Sequence, residues 1–337
     1  MTGIVLAALL WGTTGTAAAL LPAGVGPLAT GATALGVGGL LLALTAPRAT
    51  GRVLRARGSW RWLVPGGLAL AVYPLAFYSS MSLAGVAVGN VVSLGTAPLF
   101  AALLERVVLP RGERPGLDRR WLVSAGAAVA GVALLATHGH APDPATASGS
   151  GASGATDEAG AVALGVVLGL VAGLTYAGYT VTTGRLIAGG ASSRGAMAAH
   201  FAVGATVLVP VVVVVLGGAV RSGAATAAVD DGTPLGAALA AAASPPAWAV
   251  LAYLVLGPVV LAYLAFGRGL RSVPGSRATT VTLLEPFVAT LLAVVAVGER
   301  LAPLGWLGLA LVLAGVVSVA TDRRGSPRRL PPEPAPA

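Results

Sequence analysis

An apolar run of about twenty residues recurs along this chain, and no other feature constrains its fold as tightly. Such runs cover residues 3–21, 27–46, 62–80, 86–104, 121–138, 161–183, 195–217, 247–267, 278–297 and 303–320. Each approaches the ~20 residues that an α-helix needs to cross about 30 Å of hydrocarbon. Within lipid only helices and closed barrels satisfy every backbone polar group, and continuous runs of this length read as helices. Composition agrees, since 56% of the 337 residues are hydrophobic and 10% are charged, against about 25% charged in a soluble domain. The expected fold is an all-α membrane protein with ten transmembrane helices.

A net charge of +9 would suit nucleic acid if the arginines covered one face. They lie instead in short loops between apolar runs, so the expected partner is the lipid bilayer and not nucleic acid. Alternate loops separate almost completely. One set carries Arg48, Arg52, Arg55, Arg57 and Arg61, then Arg106, Arg111, Arg114, Arg119 and Arg120. It continues with Arg185 and Arg194, then Arg268, Arg271 and Arg277, and closes with Arg323, Arg324, Arg328 and Arg329. Only Arg221 and Arg300 fall on the other side. Cytoplasmic loops retain arginine near span ends, which places both termini in the cytoplasm. The chain has no cysteine, so it has no disulfide framework and no thiol chemistry. No basic residue precedes the first run, and a cleaved signal peptide is not expected.

Residues 139–160 form a Gly/Ser/Ala-rich stretch without arginine, expected as a flexible extracytoplasmic linker. Residues 218–246 form a second long loop, and residues 321–337 a Pro/Arg tail expected to be disordered. The two halves echo each other. Pro98, Phe100 and Gly112-Glu113-Arg114 correspond to Pro286, Phe287 and Gly298-Glu299-Arg300. Trp121-Leu122 with Ala130-Gly131-Val132 corresponds to Trp306-Leu307 with Ala314-Gly315-Val316. Residues 1–138 and 161–320 therefore read as two copies of five helices. An odd number of spans per copy inserts the copies in opposite orientations, giving an inverted repeat.

Glu285 is the carboxylate that stands in the middle of an apolar run, and Pro286 follows it directly. A charge at bilayer depth costs about 2.5 to 3.5 kcal/mol on insertion scales, so such a residue faces a protein interior or a watered cavity. Proline removes a backbone donor and crowds the preceding turn, which predicts a kink beside the acid. Thr282, Glu285 and Ala289 share one helix face. This carboxylate reads either as a site for a substrate ammonium or a coupling proton, or as a structural acid bonded to nearby groups. Arg277 reads as a snorkelling arginine at the cytoplasmic mouth, with contact to an anionic group as the alternative. Trp11, Tyr176 and Tyr179 lie inside their runs and not at the ends where aromatic belts form, so they are pocket walls or helix packing. Asn90 and Ser93 occupy the repeat position of the Glu285 face, as cavity lining or as interhelical bonds. His138, His140 and His200 read as ordinary packing or loop residues, and Gly149, Gly151 and Gly154 lack the lysine of a phosphate loop.

ALLWGTTG at residues 8–15, LLEPFVATLLAVVAVGERL at 283–301 and WLGLALVLAGVV at 306–317 resemble the drug/metabolite transporter superfamily, in particular its EamA-type members with two five-helix repeats. The chain departs from that pattern at Ala34, where many relatives carry arginine, and at Ala97, which stands opposite Glu285. The resemblance implies a multi-pass carrier in the bacterial inner membrane that exports small metabolites such as amino acids or drugs without ATP or any cofactor. Glu285, Trp11, Asn90, Tyr176, Tyr179 and Thr282 are the expected substrate-binding residues. Two other classes are weighed against it. An intramembrane enzyme would need a nucleophile with its base, or two acids at one depth. A membrane scaffold would need neither Glu285 nor broken helices.

Overall fold

The structure is a computed structural model and describes residues 1–18, 20, 27–84, 86–114, 118–138, 155–221, 245–292, 294, 295 and 301–321. In chain order the helices are α1 Thr2–Gly12, α2 Thr14–Ala18, α3 Pro27–Leu44, α4 Pro47–Arg55, α5 Trp60–Ala84, α6 Val86–Val108 and α7 Arg119–His138. The second half holds α8 Ala155–Ala188, α9 Ser193–Arg221, α10 Pro245–Leu254, α11 Ala262–Gly269, α12 Gly275–Val281, α13 Leu284–Leu292 and α14 Pro303–Thr321. A π-helical segment, Val255–Leu261, joins α10 to α11. Each of the ten apolar runs carries helix, and no β-strand occurs among the described residues. Among the described residues, five stretches are long and apolar enough to cross a bilayer: Arg57–Met81, Val88–Val108, Gly160–Ala188, Trp248–Gly269 and Pro303–Thr321. Thr2–Ala17 and Ala34–Leu44 are shorter apolar helices. The protein is an all-α, multi-pass membrane protein.

Two local features differ from expectation. Helix α8 begins at Ala155, inside the stretch expected as linker. The rest of that linker, the expected loop after Arg221 up to residue 244 and the expected tail beyond Thr321 lie outside the described residues. The arginine-rich loop after the second run contains α4. Its Pro47 stands in the first turn, where the missing N–H costs nothing. Arg52 and Arg55 close its last turn, where cations meet the negative helix end. Thr50 and Val53 face inward while Arg48, Arg52 and Arg55 are exposed, an amphipathic arrangement suited to a membrane interface.

Glycines set the closest packing, because without a hydrophobic driving force helices in lipid associate through backbone proximity. A Cβ on Gly131 of α7 would lie 2.6 Å from the Gly308 carbonyl oxygen and 2.7 Å from the Val312 nitrogen of α14. A Cβ on Gly315 of α14 would lie 2.4 Å from the Ser124 carbonyl oxygen and 2.8 Å from the Ala128 Cβ of α7. Gly131 and Gly315, Ser124 and Gly308, and Ala128 and Val312 are separated by the same number of positions. The contact is therefore reciprocal: each helix uses its glycine against the matching turn of the other, and the two run antiparallel. Ser124 Oγ also donates to Ser318 Oγ at 2.8 Å across this seam. Elsewhere α5 packs on α8 and α9, α6 on α8 and α12, and α1 on α11 and α13. Those contacts surround the site.

Candidate functional site

The broken helix α12–α13 carries the site, and proline chemistry explains the break. Pro286 has no N–H to offer the Thr282 carbonyl, and its ring would crowd that carbonyl in a regular helix. The Thr282 carbonyl instead accepts the Glu285 N–H at 2.9 Å, and the Thr280 carbonyl accepts the Leu283 N–H at 3.2 Å. The α-helical ladder is interrupted at Thr282 and Leu283, one turn ahead of the proline. The kink expected beside the acid is present there. Residues of α12 are buried throughout, although Ser276, Thr279 and Thr280 are polar. Burial of the threonines is tolerated because they bond their own helix: Thr279 Oγ1 donates to the Gly275 carbonyl at 2.9 Å and Thr280 Oγ1 to the Ser276 carbonyl at 2.8 Å.

Glu285 lies in the first turn of α13 and remains partly exposed. Its carboxylate has no hydrogen bond and no ion pair among the described residues. Beside it, the Tyr176 hydroxyl of α8 donates to Thr282 Oγ1 at 2.7 Å, and Thr282 Oγ1 donates to the Thr279 carbonyl at 3.0 Å. Glu285 and the Tyr263 hydroxyl both lie within electrostatic range of Tyr176. Tyr176 is one plate of a continuous aromatic wall. Its ring centroid is 5.4 Å from that of Tyr73 and 5.3 Å from that of Tyr179, and Tyr179 lies 6.3 Å from Tyr263.

Trp11 closes the wall from α1, with ring centroids 5.2 Å from Tyr263 and 5.4 Å from Phe266. Its indole N–H donates to the Pro258 carbonyl at 2.8 Å. That acceptor exists because of the π segment. The Ala262 N–H reaches the Gly257 and Val259 carbonyls and passes over that of Pro258. Gly12, the next residue, brings α1 against α13, since a Cβ there would lie 2.6 Å from Val288 Cβ and 2.9 Å from the Glu285 carbonyl oxygen.

Five of the six expected residues, Glu285, Thr282, Tyr176, Tyr179 and Trp11, thus belong to one connected cluster. Asn90 does not join it through any hydrogen bond or ring contact among the described residues. Its Oδ1 is buried without a hydrogen-bond partner there, as is the Ser93 hydroxyl. Tyr73, Tyr263 and Phe266 complete the wall and were not anticipated. The same signal that marked Trp11, an aromatic ring inside an apolar run, also marks them.

One charged residue was not anticipated and another requires correction. Glu105 of α6 is a buried carboxylate, 2% exposed. Its position beside Arg106 and Arg111 reads as a span end, yet its Oε2 accepts the Ser276 N–H at 3.3 Å where α12 begins. Arg277 is 4% exposed and lies within electrostatic range of Glu105, so it does not snorkel into solvent. His200 is an ordinary buried residue, with Nδ1 2.9 Å from Thr183 Oγ1 and Nε2 3.4 Å from the Trp62 carbonyl. His138 ends α7, and His140 and the linker glycines lie outside the described residues. On the same side as Glu105, Arg185 donates to Glu113 at 2.7 Å and lies 5.5 Å over the Trp62 ring. No group of three or more potential metal ligands occurs among the described residues.

The fold is that of a polytopic membrane protein, and the chain belongs to the EamA-like transporter family, which matches residues 1–137 and 163–321. It is 30% identical over 325 residues to the uncharacterized transporter YwfM of Bacillus subtilis (strain 168), covering 95% of this chain and 93% of that protein. A crystal structure described only as that of a protein superimposes with a TM-score of 0.64 at 21% identity, over 95% of this chain and 96% of the other. That likeness concerns the fold.

Proposed function

We propose that the chain is a secondary carrier that exports a small amine-bearing metabolite by alternating access, with both termini on the cytoplasmic side of the plasma membrane. The observation that carries this reading is Glu285, an acid with no hydrogen-bond or ion-pair partner among the described residues. It stands at a helix break and beside an aromatic wall. Anions at this depth are retained where they bind a cation or a proton. Tyrosine and tryptophan faces add to the attraction for an ammonium group. Glu285 is the substrate or coupling-proton site in this reading, with Thr282, Tyr176, Tyr179 and Trp11 shaping the chamber. The reciprocal α7–α14 contact supports two copies inserted in opposite senses, the architecture on which one copy rocks against the other.

A lipid- or peptide-cleaving enzyme is disfavoured by the placement of its acids. Glu105 meets α12 at Ser276, and Glu285 follows nine residues later, roughly 13 Å along a helix. The two carboxylates do not share one depth.

The test is gradient-driven flux of radiolabelled amines and amino acids into proteoliposomes, for the wild type and for Glu285→Gln. The substitution retains shape and removes the charge. The expected result is normal insertion with flux lost at least tenfold, and unchanged flux and pH dependence would reduce Glu285 to a structural role.

A further inference from the structure

We propose that the cavity between α1–α2, α10 and α13 is a second substrate subsite, which takes an apolar, uncharged group. The transported species is then a hydrophobic amine, with its ammonium at Glu285 and its hydrocarbon part in this cavity. The proposal rests on the amine reading of Glu285 and adds the other half of the ligand.

The cavity is open on one side, with Leu20, Ala249 and Tyr253 exposed, and measures about 400 Å³, within the range of about 300–1,000 Å³ that holds small organic ligands. Its walls include Thr13, Thr16, Ala17, Ala249, Tyr253 and Leu292, and no charged residue lines it. Two of its three hydroxyls are already engaged: Thr13 Oγ1 donates to the Leu10 carbonyl at 2.6 Å and is hydrogen-bonded to the Tyr253 hydroxyl. An ionic group finds no charged partner in this lining, whereas a hydrocarbon group needs none.

The cavity and the carboxylate are aligned. Leu292 follows Glu285 by seven residues on α13, two helical turns, which places it on the same side roughly 10 Å further along. Ala289 stands between them on that face and contributes only a methyl group. On α1 the sequence of features is the same, with Trp11 at the aromatic wall and Thr13 at the cavity. Gly12 holds this part of α1 against Val288. A ligand with its charge at Glu285 and a chain of about eight carbons beyond it would reach from one to the other. Thr282 and Tyr176 beside Glu285 supply no positive charge, nor do Tyr263 and Trp11 of the aromatic wall, so a substrate carboxylate finds no counterion among them.

The test measures binding of n-alkylamines from propylamine to octylamine to the purified full chain in lipid nanodiscs, read by tryptophan fluorescence and thermal unfolding. Affinity is expected to rise about three- to fourfold per added methylene. Filling the cavity by Ala249→Phe, or more gently by Ala17→Leu, is expected to bring that factor close to one. An unchanged factor in both filled variants overturns the proposal. A flat series in the wild type also overturns it, whether nothing or a lipid acyl chain occupies the cavity. Glu285→Gln is expected to weaken every amine by a common factor while keeping the increment per methylene. If Glu285→Gln leaves the amines unaffected, the amine reading fails by itself. A parallel series of n-alkanols from butanol to octanol, compared between wild type and Ala249→Phe, then still decides whether the cavity binds hydrocarbon.

Discussion

The Glu105 carboxylate of α6 accepts the Ser276 backbone N–H at the first turn of α12, at 3.3 Å. It joins the first half of the chain to the second at one end of the short buried helix whose other end breaks at Thr282. The two ends of α12 are held by different means. At its start a carboxylate meets the positive end of a helix, and at Thr282 a tyrosine hydroxyl from α8 replaces the missing regularity. Movement of α12 would have to disturb one or both.

Glu105→Ala is expected to destabilise the protein by on the order of 3 kcal/mol, because it leaves the buried start of α12 and nearby Arg277 without their carboxylate. Glu105→Gln should cost less, since its amide oxygen still accepts the Ser276 N–H. Thermal unfolding of the purified variants in one detergent would check the order, and equal stability of all three proteins would contradict it.

Tyr176→Phe removes the hydroxyl that reaches Thr282 and keeps the ring in the wall. A loss of about 1 kcal/mol is expected, with a similar loss for Thr282→Val. Because the two groups bond each other, the double variant should lose less than the sum of the single ones. An additive cycle would mean that the hydrogen bond contributes nothing.

Gly131→Val pushes a side chain into the α14 backbone and is expected to cost about 1–3 kcal/mol or to abolish folding. Gly126→Ala, on the same helix, meets nothing within 4 Å and should be neutral or slightly stabilising. Yields of monodisperse protein and unfolding temperatures distinguish the two, and a tolerated Gly131→Val would refute the close α7–α14 contact.

Topology can be tested in a chain that has no cysteine of its own. Single cysteines at Gly58, in the loop with five arginines, and at Ser150, in the arginine-free linker, are expected to label from opposite sides of the membrane. Labelling from the same side would remove the basis for two copies in opposite orientation.

Features that depend on a residue and its neighbours within one helix were legible from the order of residues alone. Apolar runs long enough for lipid, the interruption caused by Pro286, the shared face of Thr282 and Glu285, and the glycine matched between the fifth and tenth runs all follow from local rules. Those rules are the helical period and the requirement that backbone groups be bonded. Partnerships between helices were not legible, because they depend on how separate helices rotate and cross. Glu105 stands beside arginines in sequence and looks solvated, and only packing against α12 makes it a buried cap. Arg277 looks like a snorkelling arginine until α12 is enclosed. Asn90 carries the right polarity at the right repeat position, yet no bond ties it to the cluster that gathers Trp11, Tyr176, Tyr179 and Glu285. Tyr73 and Tyr263 join that cluster from helices with no marked chemistry of their own. Lipid-exposed and protein-facing positions are equally apolar, so hydrophobicity does not reveal which face of a membrane helix meets which neighbour. The tertiary structure decided that, and with it the shape of the site.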